Sequence, residues 1–225
     1  RSRWEEVKTC VDRAAKEIGD VPIVVANDGD VSALAGAMGL GTGRIMGIAM
    51  GTSEAVGYVD KDQNVLDWVS ELAFAPVDLS EEAAADEWST DIGAGCKYFS
   101  QDAVLKLAPR AGIRLDESLS PAEQLKVVQA MAEESDPRAL EVFQDIGVYL
   151  AHTAVLYAQF YDIERIILMG RVMSARGGEI ILDTACRVLK EDHPELAKKL
   201  TLMLPDEKTR RIGQAVAAAS LPEII

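Results

Sequence analysis

The chain has 225 residues, 48% of them hydrophobic, and a formal net charge of −14. That length holds one large or two small domains with a sizeable core. That charge excludes a nucleic-acid surface, because a polyanion would be repelled.

No apolar run approaches the roughly 18 residues of a membrane span, and no signal peptide is recognisable. Cys10, Cys96 and Cys186 are far apart and odd in number. They make neither a disulfide framework nor a zinc knuckle, which points to a reducing, cytoplasmic setting without membrane partners. His152 and His193 are isolated in sequence and read as structural or surface residues.

Arg1 to Ile18 reads as one helix, with Trp4, Val7, Val11, Ala14, Ala15 and Ile18 on one face. Residue 1 is Arg, and the chain looks entered part-way. Val21 to Val25 is apolar and largely β-branched, the pattern of a buried strand. It turns polar at once at Asn27, Asp28, Gly29 and Asp30, and a small-residue helical run follows from Val31 to Met38. The plain reading is a turn whose Asp30 or Ser32 caps that helix. The other reading is a ligand site, because carboxylates at a strand's C-terminal end lie where open α/β folds bind ligands.

Arg44 to Met50 and Ala55 to Val59 read as a β-hairpin with Gly51-Thr52-Ser53-Glu54 at its tip. The polar turn Asp60–Asn64 closes it. A loop follows through Trp68, Glu71 and Phe74, and alone Glu71 is a solvated carboxylate. Tyr98 to Ala108 reads as a helix. Ser120-Pro121-Ala122-Glu123 is a capping box that opens a helix to about Glu134. Asp136-Pro137 opens another to about Phe160, whose apolar stripe is core. Arg165 to Met169 is a buried strand that runs through a glycine-containing turn, Gly170 to Gly178, into a helix over Glu179–Leu189. Thr201 to Leu204 is a last strand, and Asp206 caps a closing helix over Glu207–Ala219.

Five stretches resemble ROK-family sugar kinases, and the likeness covers most of the chain in order. Ala26-Asn27-Asp28-Gly29-Asp30-Val31-Ser32-Ala33-Leu34 is similar to the family's Glu-Asn-Asp-Ala-Asn-x-x-Ala-Leu, matching at Asn27, Asp28, Ala33 and Leu34. Gly51-Thr52-Ser53-Glu54-Ala55-Val56-Gly57 resembles Gly-Thr-Gly-x-Gly-Gly-Gly, with three of the five glycines replaced. Glu71 matches a sugar-binding Glu, while Phe74 stands at a zinc-ligand His. Asp91 to Ser100 matches at Gly93, Tyr98 and Ser100, with Ala94 at a zinc-cysteine position and Cys96 in place of a second sugar-binding Glu. Gly170, Val172 and Ser174 match an adenosine-side Gly-Gly-Gly-Val-Ser, with Arg171 intruding.

The resemblance implies an α/β fold of the ribonuclease-H-like, actin-like ATPase kind: a mixed sheet flanked by helices, with remnants of a second such domain. Residues 1–30 would be the tail of a first lobe, 31–205 the second lobe, and 206–225 a closing helix packing back on the first. The family's opening Asp-x-Gly-Gly-Thr is absent, so a strand at Val21–Val25 would need upstream sequence, or a second copy of the chain, as its neighbour.

The implied activity is transfer of the γ-phosphoryl group of ATP to a sugar hydroxyl. Asp28 would be the base, and Asn27 and Glu71 would hold the sugar. Gly51, Thr52 and Ser53 would meet phosphate, with Gly170 and Arg171 at the nucleotide. ATP and Mg²⁺ are the implied cofactors, sugar and nucleotide the partners, and a homodimer the assembly. No zinc is expected, because three thiolates and an imidazole are not present. Glu54 is expected to put a negative charge beside the phosphates. The alternative is a catalytically degenerate sugar-sensing or scaffolding protein.

Overall fold

The computed structural model describes residues 9–19, 27–66 and 71–205. Trp4, Val7, the predicted strand Val21–Val25, Trp68 and the predicted closing helix lie outside them. Within them, helix α1 covers Cys10–Ile18 and ends at Gly19, and helix α2 covers Asp28–Leu40. Strands β1 (Ile45–Met50) and β2 (Glu54–Val59) form the predicted hairpin. Helices α3 (Gln101–Arg110), α4 (Pro121–Glu133) and α5 (Pro137–Tyr157) follow. Strand β3 (Arg165–Met169), helix α6 (Ala175–Asp192), the single turn α7 (Pro194–Ala197) and strand β4 (Thr201–Met203) close the described chain.

The strands form one mixed sheet in the order β2-β1-β3-β4. β1 pairs antiparallel with β2 and parallel with β3, and β3 runs parallel to β4. Alternation along β1 divides its side chains between two layers. Met46, Ile48 and Met50 join the large core under α3, α4, α5 and α6. Ile45 faces the other way, with Val59 and Ile167, and packs under α2 with Ala33, Leu34 and Ala37. The architecture is therefore helix, sheet, helices, as the resemblance implies.

α2 lies close to the sheet because its residues are small. Its Gly29 meets the backbone of Val56 and Gly57, and Gly57 meets the backbone of Gly29 and Asp30. A Cβ on either glycine would collide with main chain, not with a movable side chain. The hairpin glycine at 57 thus serves the packing of α2 on β2.

Three helix starts differ from the predicted ones. α2 begins three residues before Val31, because the Asn27 side chain accepts the Gly29 N–H at 2.7 Å. The cap is therefore Asn27, and neither Asp30 nor Ser32 fills that place; the Ser32 hydroxyl instead donates to the Asp28 carbonyl at 2.8 Å. α3 begins at Gln101 and not Tyr98, because Ser100 caps it by accepting the Asp102 N–H at 3.2 Å. α6 begins at Ala175, four residues before Glu179, from Ser174. The capping box Ser120–Glu123 forms as read, with the Ser120 N–H donating to the Glu123 carboxylate at 2.8 Å.

Candidate functional site

The carboxyl ends of β1 and β3 lie side by side, and the two turns that leave them meet there. Gly170 follows β3 with φ +98° and lies against the backbone of Met50, the last residue of β1. The Met50 carbonyl accepts the Val172 N–H at 3.0 Å. One residue on, the Gly51 carbonyl accepts the Gln101 N–H at 2.9 Å, and the Gly51 N–H donates to the Ser53 carbonyl at 3.0 Å. The hairpin tip is therefore fixed between the Gly170 turn and the start of α3. Thr52 and Ser53 at that tip are exposed.

Beside these turns opens a pocket of about 340 Å³. Ala35 of α2, Ala49 of β1 and Met169 of β3 form its apolar wall, and Gly170, Arg171 and Ser174 form its polar rim. Such a crevice at the carboxyl ends of parallel strands is where open α/β sheets bind ligands. The turn at Gly51 and the turn at Gly170 thus meet through Met50. Of the residues the resemblance assigned to the nucleotide, Gly170 and Arg171 line the pocket while Gly51, Thr52 and Ser53 do not.

The acidic residues gather elsewhere on the same layer. Asp28 is exposed on the first turn of α2, and Glu71 is exposed just before the 3-10 turn Leu72–Phe74. Asp30, on the same turn of α2 as Asp28, is half-buried. Burial raises its carboxyl above the usual range, the Tyr58 N–H bonded to it pulls back, and the charges of Glu71 and Asp28 raise it further. The charges of Asp28 and Glu71 are thus both felt at Asp30. The neighbour of Asp28 on the sheet is Val56–Gly57, through Gly29. That contact lies on the order of 10 Å along β2 from Thr52 at strand spacing, so Asp28 and the hairpin tip are separated, not in contact. Asn27 spends its side-chain oxygen on the α2 cap.

Asp30 was not singled out as a site residue in the sequence. Its position emerges only when α2 packs on β2, which no local pattern encodes.

Glu54 corrects an expectation. Its side chain points into the large core, on the same face as Val56 and Tyr58, and is 5% exposed. Neither carboxyl oxygen has a hydrogen-bond partner. Burial pushes its pKa well above the usual carboxylate range. It is buried in the core beneath Gly95, not placed beside the hairpin tip. The period-2 alternation Glu54, Val56, Tyr58 was the available signal.

The segment from Ala75 to Lys97 is built from internal contacts. The Tyr98 hydroxyl donates to Asp78 at 2.6 Å and accepts the Ala84 N–H at 3.0 Å. The Gly93 carbonyl accepts the Val77 N–H at 2.8 Å, and the Ser100 hydroxyl donates to the Cys96 carbonyl at 2.6 Å. Gly93, Tyr98 and Ser100, the matched positions, thus hold this loop in shape. Lys97, 8% exposed, pairs with Glu87, with Asp102 at 2.9 Å and with Asp86 at 3.8 Å.

Where the resemblance places zinc ligands stand Ala94 and Phe74, whose side chains carry no donor atom for zinc. Ala73, Ala94 and Cys96 form a small buried cluster with Phe74, whose ring lies 5.8 Å from that of Trp88. Burial, with Asp86 close by, pushes the Cys96 thiol up to about 11. A thiol that stays protonated is a poor metal ligand. Among the described residues, no group of three His, Cys, Asp or Glu side chains is placed to hold a metal. The two histidines, apart in sequence, meet in space: His193 Nε2 lies 3.4 Å from His152 Nδ1.

Neither a protein-family model nor a curated protein matches this sequence. Solved structures do. A ROK family glucokinase from Streptomyces griseus, in complex with glucose and AMPPNP, superposes with TM-score 0.70 at 18% identity, over 93% of this chain and 70% of that one. The fold is that of ROK-family proteins.

A ROK hexokinase from Thermus thermophilus gives TM-score 0.68 at 18% identity, over 94% of this chain and 70% of that one. A ROK family transcriptional regulator, a homolog of the E. coli MLC protein, gives 0.71 at 20% identity, over 92% and 54%. The chain therefore spans about half the length of that ROK regulator. Kinases and a regulator share the ROK fold, so the fold by itself does not choose between their roles. No described helix is long and apolar enough to cross a membrane.

Proposed function

We propose that this protein is a carbohydrate kinase of ROK type, and that residues 31–205 are its nucleotide-side lobe. By this reading residues 1–30 are the tail of the other lobe and 206–225 its closing helix. The observation that supports it most is the meeting of two turns, Gly51–Ser53 and Gly170–Ser174, at the sheet's carboxyl edge beside a pocket. The pocket's apolar wall suits a flat base, and its rim at Gly170 and Arg171 suits the ribose side. The exposed turn at Thr52 and Ser53 offers backbone N–H groups and hydroxyls to phosphate.

Asp28 is the general base in this scheme. It takes the proton of a sugar hydroxyl as the hydroxyl oxygen bonds to the γ-phosphorus and the bond to the β-phosphate oxygen breaks. Glu71 and the Asn27 amide hold the sugar. Magnesium bound with the nucleotide would neutralise charge on its phosphates.

The test is a coupled ADP-release assay with glucose and MgATP on the intact protein and on Asp28→Asn. The variant should lose at least about a hundredfold in turnover while glucose still binds by calorimetry. A variant as active as its parent would remove Asp28 from this role.

A second reading, a sugar sensor without catalysis, has its own support. Ser53, Ala55 and Val56 replace three glycines of the phosphate turn, and Val56 fills core. Heat from glucose with none from AMPPNP would favour it.

A further inference from the structure

The rim of the pocket is made by a turn in a costly conformation. Ala175 has φ +53°, in the left-handed region where a Cβ is crowded, and it opens α6. Strained residues persist where surrounding structure over-determines them, and they gather at functional sites. Met50 of β1 holds the turn at Val172, and two further contacts come from one neighbouring helix. On α4, the Gln129 side chain donates to the Arg171 carbonyl at 2.8 Å. One turn later, the Glu133 carboxylate accepts the Arg176 N–H at 2.9 Å. The two bonds clamp both ends of the Arg171–Arg176 turn, which contributes Arg171, Met173 and Ser174 to the pocket. Glu133 also occupies one of the free N–H groups at the start of α6, where a negative group is favoured.

We propose that Gln129 and Glu133 are positioning residues of this pocket, clamping the Arg171–Arg176 turn in the strained shape that forms its rim. As a statement about nucleotide binding this rests on the kinase reading above. As a statement about the turn it does not. Neither residue lines the pocket, so their effect on a ligand passes through the turn.

The test pairs AMPPNP calorimetry with amide hydrogen exchange on the intact protein. Glu133→Ala and Gln129→Ala should each weaken AMPPNP binding about fivefold, the worth of one hydrogen bond. Glu133→Ala should also speed exchange at the Arg176 amide. Glu133→Gln keeps an oxygen that accepts the same N–H and should bind within about twofold of the parent. Ala175→Gly, added to Glu133→Ala, removes the backbone strain that the clamp opposes. It should restore most of the lost affinity, which general damage to α4 would not allow. If the parent takes up no AMPPNP, the nucleotide reading falls, and exchange at Arg176 alone decides the clamp. Unchanged exchange at Arg176 in Glu133→Ala overturns the clamp. So does equal AMPPNP affinity in parent and variants.

Discussion

The Glu54 carboxyl lies directly beneath Gly95, one of its oxygens close to where a side chain on Gly95 would begin. Both of its oxygens are buried without partners. A carboxylic acid in that setting costs stability, because its lost hydration is replaced by nothing. Its folded pKa lies above the unfolded value, so its contribution is most favourable below about pH 4.5 and declines as pH rises toward the folded pKa. Glu54→Leu, close in volume, should therefore raise stability at pH 7.5 by about 1–3 kcal/mol. The gain should shrink toward pH 4.5. Urea midpoints of parent and variant across that range measure it, and a gap that does not change with pH would contradict it.

Asp78 behaves in the opposite way. Burial raises its pKa, but bonds from the Tyr98 hydroxyl, Ser80 and the Tyr149 hydroxyl outweigh that and hold it at about 2. A depressed folded pKa contributes stability above the unfolded value near 3.8, and that stability is lost as pH falls toward 2. Tyr98→Phe removes the 2.6 Å bond to Asp78 and leaves the Ala84 N–H without its acceptor. It should cost about 1–3 kcal/mol at pH 7. It should also flatten the acid limb of the stability curve between pH 4 and 2. Chemical denaturation at four or five pH values separates the two effects.

How much of this was readable beforehand depends on whether the cause was local. The hairpin, β3, β4 and the capping box at Ser120 were legible, because alternation and cap chemistry act within a few residues. The turns at Gly51 and Gly170 were legible as a pair only through the resemblance; their contact through Met50 is a parallel pairing across more than a hundred residues. Helix starts were misjudged where a cap belonged to the preceding loop, as at Asn27. Asp30 was hidden because its environment is made by Tyr58 and Glu71, from two other segments. Glu54 was misread although its alternation with Val56 gave the direction, because a charged residue in a glycine-rich turn suggested exposure. Gln129 and Glu133 carried no signal at all, since an exposed helix face of polar residues looks the same whether or not it holds a neighbour.

Lys97 offers a third prediction. Its ammonium gathers Asp86, Glu87 and Asp102 while the side chain is almost wholly buried. Replacing it by Met keeps the apolar stem and leaves three carboxylates facing each other. The expected loss is about 2 kcal/mol, less than for a fully buried pair because Glu87 is exposed. It should be smaller at low pH, because the bond to Lys97 holds Glu87 below the usual carboxylate range and that contribution is lost as Glu87 protonates. Hydrogen exchange should show the 76–97 loop loosening first. Loss spread evenly over the sheet would mean that the lysine does not act through that loop.

The last prediction concerns the crossing of α2 on β2. Gly29 and Gly57 meet backbone to backbone, and each would place a Cβ onto main-chain atoms of the other element. Main chain inside a sheet cannot step aside as a side chain can, so Gly57→Ala must either lift α2 or bend β2. Lifting α2 also opens the layer of Ala33, Leu34 and Ile45 beneath it. The cost should reach about 3 kcal/mol or more, at the upper end for one added methyl group. Gly41→Ala is the control, since nothing lies within 4 Å of the added carbon there. Its φ of +65° still costs about 1 kcal/mol by strain alone. Thermal melts of the two variants should therefore differ by several degrees. Should Gly57→Ala melt no lower than Gly41→Ala, the close crossing would not be what holds Asp28 and Asp30 over the sheet.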